Sequence, residues 1–144
     1  MNTRLRLDAI LIMAVALLWQ APACADEISD ARAAAVSALE RLEQRKNSDV
    51  WQSDMSDWFK DRMTRAAFLA NMTVIQAQLG GPASGREIIQ QNKAPGMAGY
   101  TGEVYSFTFE TSFPAANVYE MIALIREGGK YRVSGLNFVP NPNK

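Results

Sequence analysis

The stretch "APGMAGYTGEVYSFTFET", Ala94 to Thr111, decides how the chain folds. Its glycines, Gly96, Gly99 and Gly102, recur every third residue, which raises the question of a phosphate-binding loop. Such a loop presents backbone N–H groups and the N-terminus of a helix just after it to the anion. The residues after Gly102 have no helical period. Tyr105, Phe107 and Phe109 alternate with Val104, Ser106, Thr108 and Glu110, a period of two that belongs to a strand with one buried face. Pro95-Gly96 predicts a type II turn, with proline at its second position and glycine at its third. Gly99 and Gly102 then relax the start of a twisted strand or form a bulge. The stretch is a turn feeding a strand.

Downstream, Asn117 to Glu127 repeats the alternation, with Tyr119, Met121, Ala123 and Ile125 against Val118, Glu120, Ile122 and Leu124. "EGGK", Glu127 to Lys130, predicts a hairpin turn into a last strand, Tyr131 to Val139. Upstream, Arg86 to Asn92 predicts another strand, and before Gly85 the period becomes helical. Ile28, Ala31, Ala35, Leu39 and Leu42 form one face of a helix from Glu27 to about Lys46. Ser48 or Asp49 is placed to cap a second helical segment carrying Trp51, Met55, Trp58, Phe59 and Met63. Thr64 caps a third, with Phe68, Met72, Ile75 and Leu79 on one face, and Gly80-Gly81-Pro82 ends it. Helices followed by a meander predict an α+β class, N-terminal helices packed on one face of a curved, mainly four-stranded antiparallel sheet.

Residues 1–25 carry an address. Arg4 and Arg6 precede an apolar run from Ala9 to Trp19, then Pro22 and the small-x-small sequence Ala23-Cys24-Ala25. This pattern predicts a signal peptide cleaved after Ala25, since the run falls short of the ~20 residues of a membrane span. The chain divides accordingly into a signal peptide, 1–25, and a single domain, 26–144, with a short flexible tail at 140–144. The expected location is periplasmic or secreted. A lipoprotein with acylated Cys24 is the alternative and the only reading that puts the domain on a membrane, but Ala21-Pro22-Ala23 stands where that signal prefers a leucine-like residue.

The whole chain balances 15 basic against 15 acidic residues, and the leader removes Arg4, Arg6 and Asp8, leaving a net charge of −1. Nothing in that balance favours nucleic acid as a partner. Histidine is absent, and Cys24, the one cysteine, leaves with the leader. The usual metal ligands and the histidine base of catalytic triads are therefore missing, and no cofactor or metal is expected. "GGPASGR", Gly80 to Arg86, imitates a P-loop but places Arg86 at the lysine and a strand where the helix belongs. Asp54, Asp57 and Asp61 share a face of the second helical segment, where capping and solvation explain them better than a metal ion.

A resemblance joins these pieces. The Ala-rich helix "ARAAAVSALERL", the Trp-containing middle segment, "QLGGPASGR", "PGMAGY" and the close "VYEMIALIREGGKYRVSGLNF" resemble, in order and spacing, the exported bacterial domain-of-unknown-function family 4019 over roughly Ala31 to Phe138. Tyr131 departs from the Trp such endings often carry. The resemblance implies a cystatin-like or nuclear-transport-factor-like fold and no assigned activity.

The expectation from sequence is thus a small exported domain, non-catalytic, that binds an unknown protein or a small apolar ligand or supports the envelope. Candidate ligand-binding residues are Trp51, Trp58, Tyr105, Phe107 and Tyr119, with no catalytic set assigned. Two other readings stay open: a carboxylate–tyrosine enzyme using Tyr105, Tyr119, Glu110 and Glu120 on the concave sheet, and an inhibitor or immunity-type protein inserting a loop such as Lys93 to Gly99.

Overall fold

The computed structural model describes residues 23–143. Residues 1–22, most of the expected signal peptide, lie outside the described residues, and the expected cleavage point after Ala25 falls in the first turn of the first helix. The elements are α1 (Ala23–Glu43), α2 (Asn47–Ser53), α3 (Asp57–Lys60), α4 (Arg65–Leu79), β1 (Gly85–Met97), β2 (Tyr100–Ser112), β3 (Asn117–Glu127) and β4 (Lys130–Pro140). The strands form one antiparallel sheet in the order β1-β2-β3-β4. This is the α+β arrangement that the alternation predicts.

The buried face of α1 is built from Ala31, Ala35 and Ala38, then Leu39 and Leu42. Alanine keeps the helix axis close to whatever it covers, and α1 comes close to β2, β3 and β4. The helix stops at Arg45, whose φ of 58° is left-handed, with the Lys46 N–H donating to the Arg41 carbonyl at 3.0 Å. Glycine is usual at such a stop.

The second helical segment is split, where the sequence predicts continuity. Between α2 and α3, Met55 and Ser56 are buried and pair in parallel with Val133 at the edge of β4. The Ser56 N–H donates to the Val133 carbonyl at 2.8 Å, and the Val133 N–H to that of Asp54 at 2.7 Å. Covering part of an open sheet edge outweighs helical continuity. Ser56 then caps α3, its Oγ accepting from the Phe59 N–H at 3.1 Å. The split corrects the expectation that Asp54, Asp57 and Asp61 share one helical face. Neither Ser48 nor Asp49 caps α2, which begins at Asn47 behind Lys46 with no side-chain cap.

The ends of α4 match the sequence. Thr64 Oγ1 accepts from the Ala67 N–H at 3.2 Å, and Gly80 closes the helix at φ 80°. A Cβ at Gly80 would also sit 2.9 Å from that of Ala115. Conformation and close approach both require glycine there.

In the sheet, Tyr105 lies opposite Leu124, Phe107 opposite Ile122, Phe109 opposite Glu120 and Thr111 opposite Val118. All eight are buried. Glu110 and Tyr119 are paired on the other face. One turn differs from expectation. Pro95 and Gly96 lie within β1, beside an irregularity between Ala94 and Gly96, and the turn is made by Ala98 and Gly99, with φ 77° at Gly99. Gly96 has no positive φ, so it does not form the predicted type II turn. β1 is an edge strand, where proline's missing N–H is tolerated. The other hairpin is as expected, Gly128 and Gly129 taking φ 57° and 77°, the mirror-image turn that matches strand twist. At the C-terminus, Asn141 is buried and donates its N–H to the Asn117 carbonyl at 2.9 Å.

A hollow under α4 and its ionic floor

The side chains α4 turns inward, Phe68, Met72, Ile75 and Leu79, are bulky, unlike the alanines of α1. Its close backbone approach is to α2. The helix stands off the sheet, and two cavities lie along it. One, about 170 Å³ and partly open to solvent, is lined by Leu39 and Leu42 of α1, Met72 and Leu79 of α4, and Phe113 and Phe138 from the sheet side. The other, about 330 Å³, lies between α4 and β4, beside Phe59, Phe68 and Leu136. Met72 and Phe138 line both and so form the wall between them.

Gln76 fixes the height of α4. Its Nε2 donates to the Leu42 carbonyl and to Asn47 Oδ1, both at 2.7 Å, and its Oε1 accepts from Asn47 Nδ2 at 3.0 Å. One amide thus ties the end of α1 and the start of α2 to α4, which explains why Asn47 is not spent on capping.

Charge enters the smaller cavity from below. Glu120 on β3 is 1% exposed and is held by three hydrogen bonds. Arg86 grips it with both Nε (2.6 Å, to Oε2) and Nη2 (3.2 Å, to Oε1), and the Thr111 hydroxyl donates to Oε2 at 2.6 Å. The same Nη2 donates to Glu43 Oε1, and Glu43 Oε2 accepts weakly from the Ala83 N–H at 3.4 Å. Burial works against the charge of Arg86. Hydrogen bonds and negative charge from Glu120, then Glu43, outweigh it and hold its pKa above the ordinary guanidinium value. Bidentate pairing of this kind is the arrangement in which a buried carboxylate is tolerated.

A second cluster lies at the other end of α1. Lys93 Nζ sits 3.1 Å from Glu27 and 2.9 Å from Glu103. The Tyr105 hydroxyl reaches the same two carboxylates, at 3.1 and 3.0 Å. Hydrogen bonds from Lys93 and then Tyr105 hold the Glu103 carboxyl below its usual range. Burial, then hydrogen bonding to Glu103 and Glu27, pushes the Tyr105 phenol up.

The residues singled out from sequence are dispersed. Trp51 packs against Phe59 and Phe68, with ring centroids 6.2 and 5.4 Å apart. Trp58 lies under the Arg62 guanidinium at 3.8 Å and donates to the Gly99 carbonyl at 3.2 Å. Phe107 is buried in the core beside Phe109. Tyr105 meets Tyr131 edge-on, and Tyr119 is on the opposite face of the sheet. The carboxylate–tyrosine set is divided likewise. Tyr105 and Glu120 face the helices, while Glu110, which accepts from Asn141 Nδ2 at 3.2 Å, faces away with Tyr119. Among the described residues no group of three or more His, Cys, Asp or Glu is placed to hold a metal ion.

Sequence reasoning missed Arg86 and Thr111 as partners of Glu120, and Glu43 as the second carboxylate on Arg86. The signal was there: a carboxylate in the run Val118, Glu120, Ile122, Leu124 sits on an apolar face and needs a buried partner.

The fold and cavity define a helix-on-sheet α+β domain with a hollow under its last helix. The family model described as "Protein of unknown function (DUF4019)" matches residues 34–136, and the chain belongs to this family. No curated protein and no solved structure matches it.

Proposed function

We propose that the domain is an exported, non-catalytic binding protein that takes a small, mainly apolar molecule into the hollow under α4. The observation that carries this reading is the cavity of about 170 Å³ with mainly apolar walls. An engineered apolar cavity of roughly 150 Å³ admits benzene, so the volume suits a ligand of that size. Binding is favoured over acid–base chemistry because the carboxylate–tyrosine set is split across the sheet, with Glu110 and Tyr119 on the face away from Tyr105 and Glu120. The leader pattern and the absence of histidine support export and a binding role.

Two experiments test this. Titration with benzene and cyclohexanol, followed by NMR at the Met72 methyl and the Phe113 ring, is expected to give saturable shifts at both. No shift up to probe saturation would sink the reading. An intact mass beginning at Asp26, for protein recovered from its own host, is expected for soluble export, whereas an acylated Cys24 start replaces it with a lipid anchor.

A further inference from the structure

The floor of the smaller cavity is not electrically neutral. Glu43 and Glu120 both line it, and both are bound to the single guanidinium of Arg86. Two carboxylates on one cation leave one negative charge in excess, against walls that are mainly apolar, with Gln76 and Arg45 as their other polar members. That charge is sheltered: the side chains of Glu43, Glu120 and Arg86 are 16%, 2% and 11% exposed. The carboxylates also retain acceptor capacity. Each oxygen offers two lone-pair sites. Among the described residues, Glu43 Oε2 receives only the 3.4 Å contact from Ala83, and Glu120 Oε1 only the 3.2 Å contact from Arg86.

One opposing charge must be weighed. Arg45 also lines this cavity and would favour an anion. It is exposed to solvent, and exposed charges are screened far more than sheltered ones. The sheltered excess therefore decides the sign.

We infer that the hollow selects a small cationic amphiphile, an apolar body of about six carbons carrying a primary ammonium that donates to Glu43 and Glu120. This rests on the proposed function and adds the charge of the ligand to it. The ammonium would restore neutrality to the floor while the hydrocarbon lies against Leu39, Leu42, Met72 and Phe113. An anion of the same shape meets carboxylates it cannot pair with.

The test is a matched series, hexylammonium, 1-hexanol and hexanoate, titrated against the full domain by calorimetry and by NMR at Met72. Charge-assisted hydrogen bonds predict hexylammonium about tenfold tighter than hexanol, and hexanoate weakest. Glu43→Gln keeps the side-chain shape and leaves Arg86 paired one-to-one with Glu120. It is expected to erase the preference for hexylammonium over hexanol. Equal binding of all three, or tighter hexanoate, overturns the inference yet leaves the proposed function standing. No binding by any of the three overturns both.

Discussion

The two ends of the helix–sheet interface are built on different principles. At one end the alanines of α1 share one core with Tyr105, Phe107, Leu124 and Val133, and the charges sit at the margin as Lys93, Glu27 and Glu103. At the other, α4 is held off the sheet by Met72, Leu79 and the Gln76–Asn47 amide pair, and the charges lie beneath a hollow. Neither cavity touches Ala31, Ala35, Phe107 or Leu124. The size of the inward side chains sets the spacing between layers, and the spacing decides where empty volume collects.

The largest effects come from removing what each end cannot replace. At the hollow end, Arg86→Met strands Glu120 in a buried site, and loss of one partner from a buried pair predicts a destabilisation of ~3–5 kcal/mol. At the packed end, Phe107→Ala predicts ~3–5 kcal/mol from lost burial and a new cavity. Urea unfolding of each variant checks both. A midpoint within error of the parent would mean that Arg86 is dispensable, or that Phe107 is not core.

Enlarging side chains sharpens the contrast further. Ala35→Leu adds volume at a fully buried alanine that lines neither cavity and is expected to cost ~1–3 kcal/mol by overpacking. Leu42→Phe adds volume beside the cavity and should change stability by less than ~1.5 kcal/mol. If the two variants lose equal stability in thermal melts, the ends do not differ in packing.

The smallest effect separates the charge clusters. The folded-state pKa of Glu103 lies below its ordinary value of 4.5, so its contribution is present above that value and is lost as pH falls through the lowered one. Glu103→Gln is therefore expected to melt slightly below the parent at about pH 7, with the gap closing as the pH falls below the lowered value. A gap that persists in acid would assign the effect to something other than the carboxylate.

Much of the fold was legible because it is local. Period two in Tyr105, Phe107 and Phe109, the Thr64 cap and the glycines at 80, 128 and 129 each state their conformation within a few residues. The split between α2 and α3 was not legible, because Met55 and Ser56 leave the helix to pair with Val133, far along the chain. Nor was the site. A hollow consists of space that side chains fail to fill, and no periodicity announces how far α4 stands from the sheet. Aromatic residues drew attention from sequence, yet Phe107 is buried in the core and Tyr119 faces the other way. Glu120 was the legible clue, a charge on an apolar face.

The most direct measurement is diffraction from crystals under xenon pressure, because xenon occupies apolar cavities without regard to charge or hydrogen bonding. The account predicts a xenon site bounded by Met72, Leu79 and Phe113, and none beside Ala35. Xenon absent from that hollow, or lodged beside Ala35 instead, would contradict it.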